Sequence, residues 1–274
     1  MGEGNLLKLN KKIVHILKIV FWASVFYLCF VLFQHIFFHN INFHIDFKKI
    51  VFFLFFNVPF VIAGQYWFLF ALLYTYIFYA ILVRFNLRQF AYWLAAAMFV
   101  LYICLAQGAH LAGIGIPNCI YRNWLVEGFA YFMLGHWIHE HQDEIHISNK
   151  VLGWIIAITT VACWGERYLL GRDFGVNICS IPQVFALFVY AVKNSTRHEG
   201  LIQRLGRDCS MLVYILHPAI WHSFQGVYKL MGISDNLAAL YIMPVLVIIF
   251  SILGALLFNW IKSKFIPKKQ VQLS

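Results

Sequence analysis

Long apolar runs dominate this chain, with short polar and basic links between them. A helix that crosses a bilayer needs about 20 mostly apolar residues. Eight stretches qualify: 13–37, 65–84, 89–107, 123–140, 150–167, 178–194, 209–226 and 238–261. A further stretch, 47–62 (FKKIVFFLFFNVPFVI), is apolar but short and interrupted by Pro59, which suits an interfacial or re-entrant helix. The pattern predicts an all-α fold: a polytopic transmembrane helix bundle of about eight spanning helices plus one short interfacial or re-entrant helix. No Pro/Gly/Ser-rich linker, repeat or low-complexity segment divides the chain. Residues 1–274 therefore read as one membrane domain: a basic N-terminus over 1–12, the bundle over 13–261 and a basic tail over 262–274.

Composition agrees. The 274 residues are 62% hydrophobic and only 12% charged, whereas soluble domains carry about a quarter charged residues. A soluble fold of this size could not hide that much apolar surface, so lipid covers it. The net charge of +10 would suggest nucleic acid in a soluble protein, but these Lys and Arg sit at the ends of apolar runs, where they anchor and orient. With the N-terminus inside, 15 of the 21 basic residues are cytoplasmic; Lys48, Lys49, Arg122, Arg167, Arg172 and Lys229 lie opposite. The positive-inside rule thus puts both termini in the cytoplasm. The first apolar run is too long for a signal core and has no small-residue cleavage site.

Charged groups at membrane depth are costly and are candidates for function. Arg122, Asn123 and Glu127 open the run at 123–140 from its outer end. They read as a buried acid with a polar clamp, or as an interfacial anchor whose acid is satisfied within the bundle. His217 stands beside Pro218, which frees a backbone carbonyl one turn earlier. It reads as a proton shuttle or general base, or as a packing histidine at a kink. Glu166 and Arg167 fit a solvated outer loop with local ion pairs. Trp67 suits an interfacial belt.

His136 and His139 have a spacing that metals use, but they lie in a charged rim (HWIHEHQDEIH) with no matching ligand pair elsewhere, so no metal is expected. The six Cys are scattered, without CxxC spacing. Cys119 and Cys179 share the outer face, and shared depth alone is a weak case for a bond between them. No P-loop, GxSxG elbow or HExxH occurs. Lys8, Lys11 and Lys12 could hold the phosphates of a nucleotide-like donor, or serve topology and anionic-lipid contact.

Four stretches, in order, carry a family resemblance: GQYWFLFALLYTYIF at 64–78, YRNWLVEGFAYFMLGHWI at 121–138, ERYLLG at 166–171 and GRDCSMLVYILHP at 206–218. The chain resembles the acyltransferase-3 family of integral membrane acyltransferases, which includes the membrane domain of vancomycin-type serine racemases. The resemblance implies a ten-helix bacterial cell-membrane protein that uses cytosolic acyl-CoA, commonly acetyl-CoA, to acylate a carbohydrate or other envelope acceptor at the far face. It also implies that Lys8, Lys11 and Lys12 hold the donor phosphates, that Glu127 and His217 are catalytic, and that Arg122, Asn123, Trp67 and Tyr214 bind substrate. Its expected partners are the lipid bilayer, acyl-CoA and the acceptor, with no nucleic acid. Family members open with two further helices, the first carrying an Arg and a His central to transfer. This chain begins where their third helix would, so a fragment, a mis-started frame or a degenerate homologue is expected. Two other readings stand beside transfer: a permease for a small polar molecule such as an amino acid, and a non-catalytic membrane scaffold.

Overall fold

The computed structural model describes residues 3–38, 47–56, 67–172, 174–195 and 200–265. All regular structure among them is helical. Lipid offers backbone groups no hydrogen-bond partners, so a chain this apolar satisfies them within helices. The helices are α1 (Glu3–Phe38), α2 (Phe47–Phe56), α3 (Trp67–Arg84), α4 (Arg88–Ile103), α5 (Ala109–Leu111), α6 (Asn118–Tyr121), α7 (Ala130–Glu140), α8 (Asn149–Leu170), α9 (Ser180–Lys193), α10 (Leu201–Leu230) and α11 (Leu237–Phe265). Two π-helical segments interrupt this series, Cys104–Gly108 after α4 and Trp124–Phe129 before α7.

Four of these helical stretches are long and apolar enough to cross a membrane: Leu9–Gln34, Trp67–Arg84, Arg88–Leu111 and Leu237–Phe265. That is fewer than the eight runs read from the sequence. The other four runs are also helical, but α9 has only 14 residues, α8 carries Glu166 and Arg167 near its end at Leu170, and α10 carries Arg204, Arg207 and Asp208. The fourth is split into the π segment and the 11 residues of α7. α2 spans ten residues, roughly half of what a crossing needs. The rest of the 47–62 segment, Pro59 included, lies outside the described residues, as does the tail after Phe265.

The chain forms two compact units, Met1–Val25 with Asn40–Arg197, and Phe26–His39 with His198–Ser274. In the first unit α3 packs on the Trp124–Phe129 segment, α4 on α7, and α8 and α7 on α9. Association in lipid is driven by close packing rather than by exclusion of water, and small residues mark these contacts. Ala91 and Ala95 are buried among Tyr79, Leu82, Phe129 and Met133, and Ala186 among Ile138, Leu152 and Val189. At Gly128 an added Cβ would lie 3.4 Å from the Thr75 hydroxyl and 3.5 Å from the Ala71 methyl. Larger apolar side chains point outward: Trp93 is 69% exposed and Val161 73%, as lipid contact requires.

In the second unit α10 packs on α11. Tyr228, Met243 and Val247 form its buried core. Pro218 lies inside α10 and removes one helical donor. The Tyr27 hydroxyl donates to the carbonyl of Ile215, three residues before that proline, at 2.7 Å. All six cysteines are free thiols, including Cys119 and Cys179.

Candidate functional site

The first unit encloses a cavity of about 990 Å³. Its walls come from α1, α3, the Trp124–Phe129 segment, α7, α9 and the loop before α9. Lys12, His136, His139 and Glu140 line it in one region, Trp67, Glu127 and Gly175 in another, with Phe68, Leu72, Tyr76 and Phe132 among its apolar lining.

The approach to Glu127 is built by Asn123. Its side-chain oxygen accepts from the amides of Leu125 and Val126, both at 3.0 Å. Its amide donates to the carbonyls of Cys119 at 3.2 Å and Ile120 at 2.7 Å. These four bonds use both donors and both acceptor positions of an asparagine. The residue is 4% exposed and is not among the residues lining the cavity. Asn123 was expected to bind substrate; instead it is a helix cap with no hydrogen-bonding capacity to spare. The carbonyl of Asn123 accepts from both Glu127 and Gly128, each at 3.1 Å. The second of these spans five residues, and this wider turn is what opens the π segment carrying Glu127. Such single-turn expansions inside helices occur often at functional sites.

Glu127 projects into the cavity with a side chain 13% exposed. Its Oε2 is buried and makes no hydrogen bond among the described residues. The nearest cation is Arg122, whose Nε is 4.0 Å from that oxygen, long for a hydrogen bond. The Arg122 guanidinium lies 5.2 Å over the ring of Trp67, within cation–π range. Gly175 closes the other side. Its φ is +83°, a conformation that favours glycine, and a Cβ there would sit 3.5 Å from the guanidinium carbon. Trp67, Glu127 and Gly175, with Arg122 against them, therefore form one polar corner of the cavity.

A second polar group lies in the wall, and the sequence reading passed over it as a charged rim. The His136 ring is held between two phenols, Tyr79 at 2.6 Å from Nε2 and Tyr92 at 2.9 Å from Nδ1. Tyr92 also donates to Glu140, which pairs with Arg88. His136 and Glu140 are four apart on α7, a spacing visible in the sequence. Their tyrosine partners come from α3 and α4, and nothing local announces them.

The remaining expected site residues fall elsewhere. Lys12 lines the cavity; Lys11 is exposed on α1 and is not among the lining residues. The side chain of Lys8 lies outside the described residues. Tyr214 and His217 belong to the second unit, with ring centroids 5.8 Å apart. The Nδ1 of His217 bonds the carbonyl of Val213, 3.3 Å away on its own helix. Glu166 was expected to sit in a solvated loop. It accepts instead from the Gln107 side chain at 2.5 Å and from the amides of Ile178 at 2.9 Å and Cys179 at 3.3 Å. The acid is thus a joint between the Cys104–Gly108 segment, α8 and the start of α9.

No curated protein and no solved structure matches this chain. The acyltransferase-3 family model, described as an acyltransferase domain, matches residues 7–264. That match takes in the cavity, both π segments and the Pro218 kink, and by it the chain belongs to the acyltransferase-3 family of membrane acyltransferases.

Proposed function

We propose that this protein moves an acyl group, commonly acetyl, from cytosolic acyl-CoA to a hydroxyl of an envelope carbohydrate or similar acceptor. The observation that carries this reading is the Oε2 of Glu127, which lies in the wall of a cavity large enough for a substrate and accepts no hydrogen bond among the described residues. A buried acceptor without a donor costs free energy, and an acceptor hydroxyl would supply that donor. Glu127 would take the hydroxyl proton as the oxygen bonds to the thioester carbon. The carbon–sulfur bond breaks with its electron pair on sulfur, and the proton returns to the thiolate. Arg122, held over the Trp67 ring, would orient the acceptor beside Glu127. Lys12 on the cavity wall, with Lys8 and Lys11 on the same helix, would draw the donor phosphates.

The topology that goes with this chemistry has about eight crossings in the cytoplasmic membrane, with both termini inside. It puts the lysines on the donor side and Arg122 on the acceptor side. Membranes from cells expressing the gene, given labelled acetyl-CoA and an envelope polysaccharide extract, should label the polysaccharide. Glu127→Gln should slow that labelling by about 100-fold or more. Labelling that is indifferent to Glu127→Gln would overturn the assignment. Serine uptake into proteoliposomes without any need for CoA would move the protein to the permease class.

A further inference from the structure

The group around His136 has a direction. The Glu140 carboxylate, paired with Arg88, can only accept hydrogen bonds. Tyr92 therefore donates its one proton to Glu140, and its oxygen is left to accept from His136 Nδ1, 2.9 Å away. That fixes the proton of the neutral ring on Nδ1, so Nε2 is bare and accepts from the Tyr79 hydroxyl at 2.6 Å. With its proton committed inward, the Tyr79 oxygen is left to accept. Tyr79 lines the cavity together with Lys12, His139 and Glu140 and the apolar Leu9 and Val83.

We infer that the chain Arg88–Glu140–Tyr92–His136–Tyr79 makes the Tyr79 oxygen a fixed acceptor for an amide N–H of the acyl donor's thioester arm. This rests on the reading of the cavity as the acyl-donor site. The arm of CoA suits the place: its body is largely apolar, like the walls, and its amide groups carry N–H donors that need acceptors once buried. Tyr79 is the binding residue. Tyr92 is not among the cavity-lining residues, so it acts as a positioning residue through His136.

Two measurements on the intact protein in detergent test this. Nitrogen NMR of histidine-labelled protein in mildly alkaline buffer, with His136→Gln as the subtraction control, should find the Nδ1–H tautomer at His136. Tyr92→Phe should release it toward the Nε2–H form usual in water. Calorimetric binding then compares CoA with the same nucleotide lacking its pantetheine arm. Tyr79→Phe should weaken CoA by up to about tenfold, the worth of one neutral hydrogen bond, and leave the armless nucleotide unchanged. Tyr92→Phe should weaken CoA in the same direction by less. An Nε2–H tautomer in the unaltered protein overturns the inference. So does a Tyr79→Phe protein that binds CoA normally, or one that loses both ligands equally. Failure of the unaltered protein to bind CoA at all would instead strike the functional reading, and with it the ligand assigned to Tyr79, while the tautomer result would still judge the hydrogen-bond chain by itself.

Discussion

Replacing Asn123 should damage the protein more than loss of a helix cap would. Asparagine 123 is 4% exposed and accepts two hydrogen bonds while donating two. Alanine removes the cap, worth about 1 kcal/mol, and strips donors from two carbonyls at about 1 kcal/mol each. The sum is about 3 kcal/mol, or a fall of roughly 6–12 °C in unfolding midpoint for a chain of this size. Aspartate separates the two contributions. It caps helices as well as asparagine does, but sets an oxygen against the carbonyls of Cys119 and Ile120. Asn123→Asp should therefore keep the cap and still lose about 2 kcal/mol, roughly 4–8 °C. Thermal unfolding in mild detergent, followed by tryptophan emission, reads both variants, and Trp124 is the adjacent residue. Asn123→Asp melting with the unaltered protein would refute the reasoning, since the bonds to α6 would then carry nothing.

Other substitutions probe the rest of the account. Gly128→Val presses new methyls on Thr75 and Ala71, already 3.4 and 3.5 Å from a simple Cβ. It should cost about 1–3 kcal/mol, seen as a lower unfolding midpoint. Gly175→Ala places a side chain at φ +83° beside Arg122. It should cost about 1–2 kcal/mol and raise the acceptor KM while the donor KM holds. Tyr27→Phe removes the 2.7 Å bond to the Ile215 carbonyl and should destabilise the second unit by about 1 kcal/mol, with faster amide exchange around Pro218.

What the sequence disclosed follows physical lines. Runs such as 238–261 announce themselves because lipid demands continuous apolarity, and α11 fills that run. Glu127 announces itself too, because a carboxylate inside a long apolar run is expensive wherever lipid surrounds that run. Asn123 was legible as important but not in its role, since a polar residue beside Arg122 looks the same whether it binds substrate or caps a helix. The π turn that opens toward Glu127 depends on one amide choosing a carbonyl five residues back, and no residue pattern encodes that choice. Glu166 looked like a loop residue because its partners, Gln107 and the amides of Ile178 and Cys179, come from distant sequence or from backbone. His136 was set aside as a metal ligand for want of a second pair. Its actual partners are tyrosines, 57 and 44 residues away.

The most direct test of the central claim is transfer of labelled acetyl from acetyl-CoA to envelope polysaccharide, by membranes containing the unaltered protein or Glu127→Gln at equal abundance. The account expects transfer by the first and a loss of about 100-fold or more in the second. Equal transfer by the two would contradict it.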